Sequence, residues 1–128
     1  MHVFDHISVG VSDLARSIVF YDAVLGALGL VRSTQNRRSA CYGPPGFKGE
    51  APFAIIAFDD APPPERGLHL AFAASSRDAV DAFHAAAIAS GGTDDGPPGI
   101  REHYNPGYYA AFVLDPDGHR LEAVLHER

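Results

Sequence analysis

The chain has 128 residues, 46% of them apolar and 20% charged, which fits one soluble domain large enough to bury a core without disulfide staples. Its net charge of −6 argues against nucleic acid as a partner, since phosphate binding needs a basic face. The single cysteine, Cys41, excludes an intrachain disulfide and suits a reducing cytoplasm. No apolar run nears the roughly 18 residues of a membrane span, and the first residues show no basic region or apolar signal core.

Residues 3–9 read as a strand, with His6 and Ser8 on one face and Ile7 and Val9 on the other. Ser12 is a candidate helix N-cap. Leu14, Ile18, Tyr21, Leu25 and Leu28 then recur at helical spacing, and Gly26 and Gly29 suggest where that helix stops. Residues 30–34 and 38–42 suggest a hairpin. Residues 53–58 (FAIIAF) are apolar on both faces, as a central strand would be. Residues 59–67 carry three consecutive prolines and read as a linker between two modules, about 1–60 and about 67–128 of a single domain. Past it, residues 68–73 predict a strand, Ser75 a cap, and residues 77–89 a helix ended by Gly91 and Gly92. The Gly- and Pro-rich stretch 94–106 reads as a loop. Residues 108–114 and 120–126 predict two strands joined by the turn Asp115-Pro116-Asp117-Gly118.

The second half repeats the first. A shift of 63 residues superposes His6 on His69, Ser12 on Ser75, Phe20 on Phe83 and Gly29 on Gly92. Strand and helix occur in both halves, followed by three strands in the first and two in the second, and each first strand presents a histidine at the same point. The segment 108–124 (YYAAFVLDPDGHRLEAV), together with 6–14 (HISVGVSDL) followed by Phe20-Tyr21, resembles the vicinal oxygen chelate superfamily. That group contains glyoxalase I, extradiol dioxygenases, fosfomycin-modifying enzymes and bleomycin-resistance proteins. The resemblance implies an α+β fold of two βαβββ modules, forming curved half-barrels around a cleft, with helices outside.

It also implies a metal site of His6, His69 and Glu122. Two imidazoles and a carboxylate suit one divalent ion such as Zn, Fe(II), Mn or Ni, and three protein ligands leave open positions for substrate oxygens. The fourth ligand of some relatives, a glutamate on the last strand of the first half, is missing; only Asp59, at that strand's end, stands near its place. Tyr108, Tyr42 and Phe112 are candidate substrate contacts, and His103, beside Tyr104, a candidate proton carrier on a lid. A five-residue turn at 115–119 pairs Phe112 with Glu122 and turns Tyr108 to the cleft. A four-residue turn selects Tyr109.

The leading expectation is a metal-dependent enzyme in which two adjacent substrate oxygens are chelated and an enolate or oxyanion is stabilised. Glyoxalase-like isomerisation, extradiol-type dioxygenation and fosfomycin-type addition are the reactions in view. The alternative is a metal-free, bleomycin-resistance-like binding protein. Half-barrels leave sheet edges and a concave face to cover, so a homodimer is expected. Across a twofold, His6 of one chain would meet the partner's His69 and Glu122.

Overall fold

Ten elements form in chain order, and the computed structural model describes residues 3–61 and 63–127 of the chain. They are β1 (Ile7–Val11), α1 (Leu14–Ala27), β2 (Val31–Gln35), β3 (Ser39–Gly43) and β4 (Phe53–Ala57). After the proline-rich segment come β5 (His69–Ala73), α2 (Arg77–Ala89), β6 (Thr93–Ile100), β7 (Tyr108–Leu114) and β8 (Arg120–His126). The strands make two four-stranded sheets of the same order, β1-β4-β3-β2 and β5-β8-β7-β6. In each, the first strand runs parallel to the last and the other pairings are antiparallel. The chain is thus the α+β pair of βαβββ modules that the resemblance implies.

Alternation along the strands decides what each face meets. In the first sheet Val9, Val11, Tyr42, Phe53 and Ile55 are buried beneath α1, whose Phe20, Tyr21, Val24 and Leu25 fill the other side. In the second, Ala111, Val113, Leu121 and Ala123 lie beneath Val80, Phe83 and Ala87 of α2. The two helices pack on each other, so both modules share one apolar interior. The faces turned away from the helices are left for chemistry.

Both caps fall one residue later than the serines suggested. Asp13 accepts from Arg16 N at 3.1 Å and Ser76 from Ala79 N at 3.1 Å. Asp13 and Ser76 are themselves related by the 63-residue shift, so the repeat is retained in its corrected form. Ser12 instead joins the modules, its Oγ donating to Asp117 at 2.5 Å. The largest departure is β6. The stretch 94–106, expected as a loop, is strand as far as Ile100, part of the eight-residue β6 that carries Pro97 and Pro98. Prolines are tolerated because β6 is an edge strand paired only with β7, and its register shifts around them. Gly92 is required by close approach: a β-carbon there would stand 2.8 Å from Leu114 O and 2.9 Å from Ala87 O.

The β7–β8 turn is docked on the first module. Tyr21 hydroxyl donates to Asp115 Oδ2 at 2.5 Å, and Asp115 Oδ1 accepts from the amides of Asp117 and His119 at 2.9 and 2.8 Å. His119 Nε2 lies 2.6 Å from Gly10 O. A carbonyl can only accept, so that nitrogen carries the proton. Asp115 is 3% exposed, and a buried carboxylate that loses a donor keeps its desolvation cost. Tyr21→Phe should therefore lower unfolding free energy by about 1–3 kcal/mol, read as a shifted denaturant midpoint at unchanged slope.

Candidate functional site

The cleft lies on the face of the second sheet opposite α2. It has a volume of about 690 Å³ and is lined by residues of β5 to β8 and by the loop between β6 and β7. β7 and β8 pair with Phe112 opposite Glu122 and Tyr108 opposite His126, the register of the five-residue turn. This parity turns Tyr108, Phe112, Arg120 and Glu122 into the cleft. Tyr109 points the other way, its hydroxyl donating to Asp81 of α2 at 2.6 Å.

Glu122 is the centre of the arrangement. Its side chain is 1% exposed, and Oε1 lies 3.2 Å from His69 Nε2. The other oxygen, Oε2, accepts the Tyr108 hydroxyl proton. β5 and β8 run parallel with Ala71 beside Glu122, which sets His69 just before it on the adjacent strand. Burial pushes the Tyr108 phenol pKa upward, and the hydrogen bond and charge of Glu122 push it the same way. Tyr108 therefore stays protonated and acts as a donor. A buried carboxylate is costly unless it is paired or holds a metal. Here one oxygen is anchored by a phenol and the other faces an imidazole nitrogen that is half-exposed to the cleft. That donor set fits one edge of a divalent-metal site.

His6 stands apart from this pair. It immediately precedes β1 in the first sheet, and its Nδ1 lies 2.7 Å from Asp5 Oδ1, a contact that raises its pKa. Among the described residues, no three His, Cys, Asp or Glu side chains gather closely enough within the chain to hold a metal ion. The place in the first sheet that corresponds to Glu122 is taken by Ala54, opposite Ser8 as Glu122 is opposite Ala71. The first module thus brings a histidine without a carboxylate, and the second brings both.

Tyr42 requires a correction. It was expected as a wall of the cleft, but it is fully buried on the helix side of β3. Its hydroxyl donates to Asp22 of α1 at 2.9 Å, and its ring lies near Tyr21 and Phe53. Strand parity gives Ser39 and Cys41, not Tyr42, to the opposite face. His103 does line the cleft. Its ring is 4.2 Å from that of Tyr104, which is in turn 5.0 Å from that of Tyr108. The loop thereby leans over the Glu122 end. Four further charged lining residues, Arg66, Asp95, Arg101 and Arg120, escaped the sequence reading. Arg120 carried a usable signal, since it alternates with Glu122 along β8. Arg66 carried none, lying in the proline-rich segment.

The family described as the Glyoxalase/Bleomycin resistance protein/Dioxygenase superfamily matches residues 3–123. Among solved structures, a glyoxalase/bleomycin resistance protein from Albidiferax ferrireducens T118 is 39% identical, with a TM-score of 0.81 over 96% of this chain and 98% of that one. A glyoxalase-related enzyme from Fulvimarina pelagi is 22% identical, with a TM-score of 0.73 over 97% and 87%. The genomically encoded fosfomycin resistance protein FosX from Listeria monocytogenes is 20% identical, with a TM-score of 0.68 over 97% and 93%. A search of curated proteins returned no match.

Proposed function

Because this chain belongs to the glyoxalase/bleomycin resistance protein/dioxygenase superfamily, we propose that it is a divalent-metal-dependent enzyme acting on a small oxygen-rich molecule in the cleft of its second sheet. The observation that carries the reading is the buried Glu122, one oxygen held by Tyr108 and the other turned to His69. A structural carboxylate would be satisfied by backbone or by a committed cation, as Asp115 is satisfied by two amides and a phenol.

In this reading His69 and Glu122 supply two ligands, and the partner subunit's His6 supplies the third across a twofold. A symmetric dimer repeats any such exchange, so both clefts would be completed alike. It would also cover the exposed edges of the sheets. A divalent ion held there would supply Lewis acidity toward substrate oxygens. The chain's own groups do the rest. Tyr108 fixes the carboxylate. Phe112 gives an apolar wall on the same strand. The loop bearing His103 and Tyr104 covers the mouth, and a ring nitrogen of His103 is available to accept a proton from substrate. Which of isomerisation, dioxygenation or addition follows is a property of the substrate and the ion. No helix among the described residues is long and apolar enough to cross a membrane, and the lone Cys41 accords with the reducing cytoplasm in which we place the protein.

Elemental analysis of protein purified without chelator tests the metal, and light scattering tests the dimer. The expected result is close to one divalent ion per chain in a particle of twice the 13.6 kDa chain mass. A monomer would overturn the shared site. A dimer that takes up no ion but retains small molecules would favour the metal-free binding protein.

A further inference from the structure

The cleft is charged oppositely to the chain around it. The protein carries −6, yet three guanidinium groups, Arg66, Arg101 and Arg120, line the cleft against two carboxylates, Asp95 and Glu122. Arg120 is engaged, its Nη1 lying 3.1 Å from Asp95 Oδ2. Glu122 is taken by Tyr108 and His69. Among the described residues, no ion pair involves Arg66 or Arg101.

Arg101 is nonetheless held in place. Its Nη2 donates to Pro97 O at 2.5 Å, and its guanidinium carbon lies 5.5 Å from the centre of the Phe112 ring. Two glycines of the bulged β6 make the room. A β-carbon on Gly99 would stand 3.0 Å from Nη1, and one on Gly96 would stand 3.3 Å from Nη2. An arginine so braced loses little side-chain freedom when a ligand arrives. Its planar fork keeps N–H donors free for bidentate contact with a carboxylate or phosphonate. The backbone carbonyl of Arg101 also accepts from Tyr104 N at 3.0 Å, so the same residue anchors the loop over the cleft.

We infer that the substrate bears an oxyanion group, a carboxylate or a phosphonate, which docks on Arg101 while the rest of the molecule reaches toward His69 and Glu122. Arg66, just before β5, adds charge to the same cleft. This rests on the reading of the cleft as the substrate site and assigns the chemical class of its occupant.

Calorimetric titration of acetate and of methylphosphonate into the full-length protein, at about 150 mM salt to screen distant charges, tests it. The protein is used both metal-free and after loading with Zn²⁺, because a bound metal would itself attract either anion. Metal-free wild type should bind at least one of the two, and the tighter one identifies the group. Arg101→Gln should weaken that binding about 10- to 100-fold, the worth of a hydrogen bond between charged partners. Gly99→Ala, which displaces the guanidinium but keeps it, should weaken it as well. Arg77→Ala, on the far side of the sheet and paired with Glu127, should leave it unchanged. The inference is overturned if metal-free wild type binds neither anion, or if Arg101→Gln and Gly99→Ala both bind as wild type does. Zn²⁺ uptake measured on the same samples keeps the two readings separate. Anion binding without metal uptake would sink the metal reading alone, and metal uptake without anion binding would sink this one alone.

Discussion

Replacing Glu122 by Gln should weaken retention of a divalent ion by more than about 100-fold while the protein stays folded. Losing a partner that merely orients a ligand costs 10- to 100-fold in affinity, and Glu122 is read here as a ligand itself. The isosteric amide fills the same buried volume and still accepts from Tyr108 through its carbonyl oxygen. It lacks the negative charge that a cation needs. Competition against a chelator of known affinity gives the number, and a thermal melt close to wild type shows that the fold survives. Unchanged ion retention would remove Glu122 from the ligand set.

The second large effect belongs to Tyr108, and its neighbour supplies the control. Tyr108→Phe removes the donor to Glu122 Oε2 and should lower metal affinity by about 10- to 100-fold. Tyr109→Phe removes only the bond to Asp81 on the helix side. It should leave metal affinity unchanged at a small cost in stability. The two positions are adjacent in sequence and opposite in facing, so equal effects would mean that the cleft does not depend on which face of β7 meets Glu122.

This contrast also marks what can be read from the chain. The strands 108–114 and 120–126 and their pairing follow from the turn between them. Pro116 and Gly118 limit the turn to few geometries, and its length sets every facing on β7. The repeat likewise puts His6 and His69 at equivalent points. Tyr42 was misplaced because alternation on a strand says which residues share a face, not which face is covered by a helix. In β3 the sequence Ser-Ala-Cys-Tyr-Gly reads well either way, and α1, with Asp22 waiting for the hydroxyl, decides it. β6 was hidden by its glycines and prolines, which signal a loop locally. Its strand character comes from β7 alongside. The arginines of the cleft were hard to find because a cation's surroundings depend on tertiary neighbours. Arg120 meets Asp95 from β6, whereas among the described residues the guanidinium of Arg101 bonds the Pro97 carbonyl and lies near the Phe112 ring.

Mixing two variants, each lacking one of the proposed histidine ligands, tests the proposed shared site most directly. In the proposed dimer, the His6→Ala and His69→Ala variants should each bind metal poorly. If the partner subunit's His6 completes the cleft of His69 and Glu122, a mixed dimer has one cleft with both histidines and one with neither. Exchange of subunits should then restore about one tightly bound ion per mixed dimer, with the affinity of wild type. A site built within one chain would never be reassembled by exchange. Mixed dimers that bind no better than their parents, with exchange verified by mass, would contradict the account.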